Sequence, residues 1–173
     1  MPFEFSLTCP SEDVVSAVAS EPLEDVDDYE YLVMQGCRIL SEIGCRFHIA
    51  GFGSDDWGFD VSYDMSALIE QLPELLRGMA SEGCGDVDFY SQGVERTVTF
   101  ERVEASYVLR CRSRTSWKPS PDVEYVESRT MERMLEELAF AFSTGLAAAS
   151  SEISMLEPFR SWRSKQGDLT QGI

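Results

Sequence analysis

Residues 84–117 read CGDVDFYSQGVERTVTFERVEASYVLRCRSRTSW, and the order of apolar and polar side chains in this stretch decides the fold. Val87 and Phe89 alternate with Asp86, Asp88 and Tyr90, which is the two-residue period of a strand with one buried face. Ser91-Gln92-Gly93 turns the chain into the run Val94 to Val103, and Glu104-Ala105 sends it back through Ser106 to Arg114. A two-residue turn at Glu104-Ala105 sets Phe100 against Leu109 and Val98 against Cys111 on one face, which belongs in the core. The opposite face carries Thr99 against Arg110, Thr97 against Arg112 and Glu95 against Arg114, with Glu101 facing Val108. Arg110, Arg112 and Arg114 read either as an ordinary solvated face closed by an ion pair, worth only about 0.2–1 kcal/mol, or as a strip that holds an anion.

Beyond this stretch, Trp117-Lys118-Pro119-Ser120-Pro121 is a stiff polar loop, and Ser128 or Thr130 opens a long helix. Its apolar stripe is Met131, Met134, Leu135, Leu138, Phe142 and Leu146, with Glu132, Arg133, Glu136 and Glu137 outside it. Phe159 and Trp162 fold back on the core, and the tail from Lys165 is loose. Before the central strands, Asp64 stands as the cap of a helix carrying Leu68, Leu72, Leu75, Leu76 and Met79, in which Pro73 predicts a kink or restart near Gln71.

Nearer the start, Phe3, Phe5 and Leu7 predict an edge strand that Cys9-Pro10 interrupts, and Ser11 predicts the cap of a short helix over 12–19. The stretch EPLEDVDDYE, residues 21–30, is too densely acidic to hold regular structure and reads as an exposed loop. Leu32, Val33, Gly36, Ile39, Leu40 and Ile43 predict a helix that Gly44 ends. Arg46 to Phe52 alternates as a strand, and Trp57, Phe59, Val61 and Tyr63 predict a partner strand after the turn at 51–56. The two would make a second hairpin, with His48 directed toward Asp60.

Chemistry is sparsely represented. His48 is the only histidine, and no nucleophile signature accompanies it, so a structural hydrogen bond outweighs catalysis. Asp55, Asp56, Asp60 and Asp64 lack the alternation and closing glutamate of a calcium loop. Gly51 and Gly53 lack the third glycine and the lysine of a phosphate loop and read as turn glycines. Cys9, Cys37, Cys45, Cys84 and Cys111 are odd in number, widely spaced and without a CxxC pair, so they read as reduced thiols, mostly in the core, and not as a zinc site. No catalytic residue, metal or cofactor is assigned.

The chain of 173 residues carries a net charge of −17, and 43% of it is hydrophobic, which fits one folded domain over 1–164 with a tail at 165–173. Residues 1–90 hold 19 acids and 3 bases, whereas residues 91–173 hold 12 acids and 11 bases. Such a surface repels phosphate backbones and anionic lipid, which disfavours nucleic acid and membrane, and it steers in a basic protein partner; charge kept for solubility alone is the competing account. Asp25, Asp27, Asp28, Tyr29, Asp55, Asp56 and Trp57 are the contacts expected for that partner, with Leu23, Val26 and Tyr31 as further apolar groups among the acids. The opening MPFEFSLTCPSED has no charged-then-apolar leader, and no apolar run reaches the roughly 20 residues of a membrane span, so a cytoplasmic location is expected.

The short connections predict an α+β fold with a mainly antiparallel sheet and helices, near 65–82 and 128–149, packed on one face. The succession RFHIAGFG, DMSALIEQLPELL, VDFYSQGVERTVTFE, a loop with Trp117 and two prolines, and a Met/Leu-rich helix resembles small bacterial immunity proteins of polymorphic toxin systems, over residues 44–146. What the resemblance implies is an inhibitor that blocks a cognate toxin by binding, with no chemistry of its own. The alternative is an anion-binding or enzymatic domain that uses the arginine face.

Overall fold

The computed structural model describes residues 2–15, 18 and 21–164. Strands β1 (Glu4–Thr8) and β2 (Arg46–Ala50) pair antiparallel, and β3 (Cys84–Phe89), β4 (Arg96–Val103), β5 (Ser106–Ser113) and β6 (Val123–Glu127) form a second antiparallel sheet in that order. Helices α1 (Tyr29–Glu42), α2 (Asp64–Ser81), α3 (Ser128–Ala148) and α4 (Phe159–Ser164) complete an α+β fold, with 3-10 turns at Glu12–Val14 and Glu152–Met155.

The central hairpin has the register its alternation predicts: Phe100 faces Leu109, Val98 faces Cys111, Thr99 faces Arg110 and Thr97 faces Arg112. Glu104 takes the left-handed conformation at φ 56° to close the turn. Val87, Phe89, Val98, Phe100, Tyr107, Leu109, Cys111 and Val126 are buried on the inner face, in one core with the apolar stripes of α1, α2 and α3. The fourth strand, β6, has no counterpart in the sequence reading, because VEYVE is short and carries a glutamate, Glu124, on its buried side. Phe159 and Trp162 do fold back, packing against Phe142. The expected loose tail from Lys165 lies outside the described residues.

The second hairpin is not there. The partner of β2 is β1, with Phe5 opposite Ile49, and residues 56–60 have no regular structure. One backbone bond, Trp57 N–H to the Ile49 carbonyl at 2.8 Å, ties that stretch to β2. Trp57, Phe59 and Val61 are buried while Tyr63 is exposed. Their alternation reflects aromatic packing on Phe89 and not a strand ladder. His48 accordingly lies near Glu4, 3.7 Å away, and Asp56, 3.9 Å away, instead of Asp60.

The β1–β2 register also overturns the reading of five reduced thiols. Thr8 pairs with Arg46, and one step further along the two strands Cys9 and Cys45 form a disulfide with their Cα atoms 4.1 Å apart. The bridge joins residues 36 apart in sequence, so spacing alone hides it. Cys37 and Cys111 are buried thiols, and Cys84 is exposed.

Two helix boundaries differ from expectation for local reasons. The α2 helix runs unbroken through Pro73. Proline at this position leaves the carbonyl four residues back without its donor, and that carbonyl, of Ile69, accepts the Tyr29 hydroxyl at 2.6 Å. At the start of α2 Asp64 is the first helical residue and not the cap, and the N-cap, Tyr63, makes no side-chain cap; the Asp60 carboxylate instead accepts the N–H groups of Tyr63 and Asp64, and Asp64 accepts the Asp60 N–H in return. Ser11 makes no side-chain cap, and in place of the predicted helix there is only the turn at Glu12–Val14; residues 16, 17 and 19 are outside the described set.

The two edges of the larger sheet are treated differently. On β3 the outward N–H and carbonyl of Asp88 are both bonded by the Gln71 side chain of α2 at 2.9 Å. Gly78 lets α2 press close to the same edge, since a Cβ there would lie 2.6 Å from the Cys84 carbonyl oxygen.

Candidate functional site

The acidic loop is an exposed segment tied at its C-terminal end. Asp28 caps α1 by accepting the Tyr31 N–H at 3.1 Å, Asp25 accepts the Asp27 N–H at 3.0 Å, and the Glu24 N–H donates to the Tyr31 hydroxyl at 3.0 Å. Glu24, Asp25, Val26, Asp27 and Asp28 are all exposed, and Val26 is the apolar residue among them that solvent reaches most.

Tyr29 and Trp57, the two aromatic contacts expected from sequence, point inward. Tyr29 donates to Ile69 and stacks on Phe159, and burial pushes its hydroxyl well above the usual tyrosine range. Trp57 is buried, and its indole N–H donates to the Gly51 carbonyl at 3.1 Å. Tyr63 and Tyr90 are exposed instead, 67% and 52% accessible, as is Tyr125 of β6. The Tyr90 hydroxyl donates to Glu70, whose carboxyl is raised by partial burial, against the lowering effect of this bond, and raised further by Glu30. The Tyr90 hydroxyl is raised first by partial burial, then by its bond to Glu70 and the Glu70 charge, and after these by Glu30 and Tyr63. Tyr90, just after β3, is bonded to Glu70 of α2, and Glu30 of α1 and Tyr63, just before α2, are near enough to act on this pair electrostatically; the 24–28 loop leads into α1 at Tyr29. The sequence hides Tyr63, which lies in an alternation that imitates a buried strand face, whereas strand alternation already sets Tyr90 with Asp86 and Asp88 on the outward side.

Asp55 and Asp56 are exposed in the turn after β2, where Asp56 accepts the Gly58 N–H at 2.8 Å beside His48. Among the described residues no hydrogen bond or ion pair links them to the 24–28 loop. Among the described residues no group of three or more histidine, cysteine or acidic side chains is placed to hold a metal ion.

On the outer face of the larger sheet Arg114 is engaged, bonded to Asp88 at 2.6 Å and to the Thr97 hydroxyl at 2.7 Å. Its expected partner Glu95 meets it only through the backbone, Arg114 N–H to Glu95 carbonyl at 2.9 Å. Arg110 and Arg112 are exposed and have no carboxylate within ion-pair distance among the described residues.

Arg96 is the charged residue that sequence reading leaves unassigned. It shares the parity of Val98 and Phe100, so alternation alone puts it on the inner face, where it is 8% exposed. Its guanidinium lies 3.8 Å from the Trp117 ring centre, 4.5 Å from that of Trp57 and 5.4 Å from that of Phe59. Desolvation lowers its pKa, against Cys111 and Asp64, which favour the charged form. Across the same face Glu124 accepts the Phe52 N–H and so docks the 51–54 turn. That turn requires Gly53, where a Cβ would lie 2.0 Å from the Ser120 carbonyl oxygen.

These elements define an α+β domain with an exposed acidic loop, exposed tyrosines and an outer sheet face that carries the exposed Arg110 and Arg112. No protein-family model matches the chain, and neither a curated protein nor a solved structure is similar enough to match it.

Proposed function

We propose that this chain is a non-catalytic binding protein whose acidic surface receives a basic protein partner, and that it acts as an immunity protein neutralising a cognate toxin. The observation that carries the reading is the exposed loop at Asp25, Asp27 and Asp28 leading into α1, whose Glu30 acts electrostatically, as does Tyr63, on the bonded pair of Glu70 and Tyr90. Acids accelerate encounter with a basic surface, and exposed tyrosines supply the desolvated anchors that charge lacks. Nucleic acid and anionic membrane are disfavoured as partners by the net charge of −17. Among the described residues no helix is long and apolar enough to cross a membrane. The Cys9–Cys45 bridge favours an oxidising setting over the expected cytoplasm.

The test is co-expression with the product of the adjacent gene. A toxic domain whose growth arrest the chain relieves, and relieves less after Asp25→Lys, Asp27→Lys and Asp28→Lys together, supports the proposal. Persistent arrest, or relief indifferent to the triple reversal, rules out this surface. A second reading rests on the two free arginines, Arg110 and Arg112, which have the chemistry to hold a small carboxylate or phosphate. A thermal shift with anionic metabolites that disappears in Arg112→Ala would favour it.

A further inference from the structure

The ladder geometry fixes which backbone groups of β6 are unused. In an antiparallel pair, residues that exchange hydrogen bonds alternate with residues whose N–H and carbonyl point away. The Cys111 N–H bonds to the Asp122 carbonyl and the Ser128 N–H to the Ala105 carbonyl, at 2.9 and 2.8 Å, so Glu124 and Val126 bond inward to β5. Val123, Tyr125 and Glu127 therefore direct their N–H and carbonyl groups away from the sheet. The opposite edge, β3, is closed by Gln71 and by the close approach of Gly78, and β6 has no such cover among the described residues. An uncovered edge is a template for another strand.

We infer that a second copy of this chain occupies that edge, with β6 pairing antiparallel to β6 about a two-fold axis at Tyr125. Tyr125 of each copy then exchanges both main-chain bonds with Tyr125 of the other, and Val123 does the same with Glu127. The two four-stranded sheets become one continuous sheet.

Three features fit this occupant. Tyr125 is 69% exposed and stands on the outer face beside Val108, its partner on β5, which is already buried at 7%, so the apolar centre of the contact is the pair of tyrosines. Arg110, opposite Val123, has no acidic partner within its own copy among the described residues. In the dimer the second copy's Glu127 stands on the far side of Val123, about 10 Å from Arg110 between Cα atoms at two strand spacings, which two extended side chains span. One Glu127 oxygen holds the Thr130 hydroxyl, leaving the other for the arginine. Finally, β6 belongs to residues 91–173, where 12 acids are balanced by 11 bases, so the contact avoids the acidic half that would repel a second copy.

Sedimentation of the purified chain from micromolar to near-millimolar concentration tests the inference. A reversible monomer–dimer equilibrium is expected. Arg110→Glu or Glu127→Arg alone should weaken it by about tenfold, and the double reversal should restore it. Tyr125→Pro, which removes the central donor at an edge where proline is tolerated, should abolish it with native circular dichroism. A chain that stays monomeric throughout overturns the proposal. A dimer indifferent to both the charge reversal and the proline uses another surface, which overturns it as well. If Tyr125→Pro unfolds, the charge pair alone decides.

Discussion

The two faces of the four-stranded sheet are made by neighbouring residues of the same strands, yet the inward charges Arg96 and Glu124 are structural parts, whereas on the outer face Arg110 and Arg112, unlike Arg114 with its bond to Asp88, have no ion pair within the chain among the described residues. Arg96 and Glu124 face inward, each 8% exposed, and each has a defined role, since one fills a box of Trp57, Phe59 and Trp117 and the other anchors the turn at Phe52. Arg110 and Arg112, on the outer face, stand in water opposite threonines. Residue type does not separate these groups. Strand parity does, because it determines whether a charge must be desolvated and hence whether its contacts matter.

The largest expected difference between the faces is kinetic. Cys84 is exposed and shares the outward parity of Asp86 and Asp88, whereas Cys111 is on the inner face and burial pushes its thiol up to about 12, against the opposing effect of Arg96. At mildly alkaline pH Cys111 remains a thiol and reacts only when the domain opens, which for a stability of about 5–15 kcal/mol means a thousandfold or greater protection. Alkylation followed by peptide mass spectrometry should label Cys84 at once and Cys111 and Cys37 last. Comparable rates for Cys84 and Cys111 would break the comparison. Cys9 and Cys45, joined as a disulfide, should label only after reduction.

Phe100→Ala comes next. Phe100 is 3% exposed and its ring centre is 6.1 Å from that of Phe3. The truncation should cost about 3–5 kcal/mol by denaturant unfolding, as large-to-small aromatic changes in cores do. A loss below about 1 kcal/mol would mean that the inner face collapses around the cavity.

Arg96 sharpens the comparison by separating packing from charge. Its Nε and Nη1 are buried without a hydrogen-bond partner in the described structure, so the charge carries a desolvation cost that ring contacts offset. Arg96→Ala should destabilise by about 2–3 kcal/mol, combining lost stem packing with cation–π contacts of roughly 0.5–2 kcal/mol. Arg96→Met, which keeps the stem and removes the charge, should recover most of that loss. If methionine is as damaging as alanine, the cation itself holds the aromatic box.

What the sequence disclosed follows the same physical division. The hairpin from Arg96 to Ser113 was legible because its pairing is local, its turn is short and the central positions of one face, Val98, Phe100, Leu109 and Cys111, are apolar. The pairing of β1 with β2 was not, because the partners lie on either side of α1 and nothing in the intervening sequence reports their meeting. The disulfide was hidden with it. Trp57 to Tyr63 imitated a strand because aromatic packing and strand pairing produce the same alternation. At the candidate surface the acids were legible from composition and Tyr90 from strand alternation, but two other tyrosines were not: Tyr29 turns inward to meet the carbonyl that Pro73 frees, and Tyr63 stays outside.

The smallest effects are expected on the outer face, where Thr99→Ala and Arg112→Ala should each change stability by no more than about 0.5 kcal/mol. Thr99 is exposed beside a residue whose loss costs several times more, so the pair measures parity alone and not local strand strength. Arg112 has no ion pair to lose among the described residues. Removing a cation from a chain of net charge −17 adds slightly to its self-repulsion, so any small destabilisation should fade as salt screens it. A loss of about 1 kcal/mol or more that persists at high salt would show that Arg112 has packing contacts on this face, and the contrast between an engaged inner charge and an idle outer one would then fail at that position.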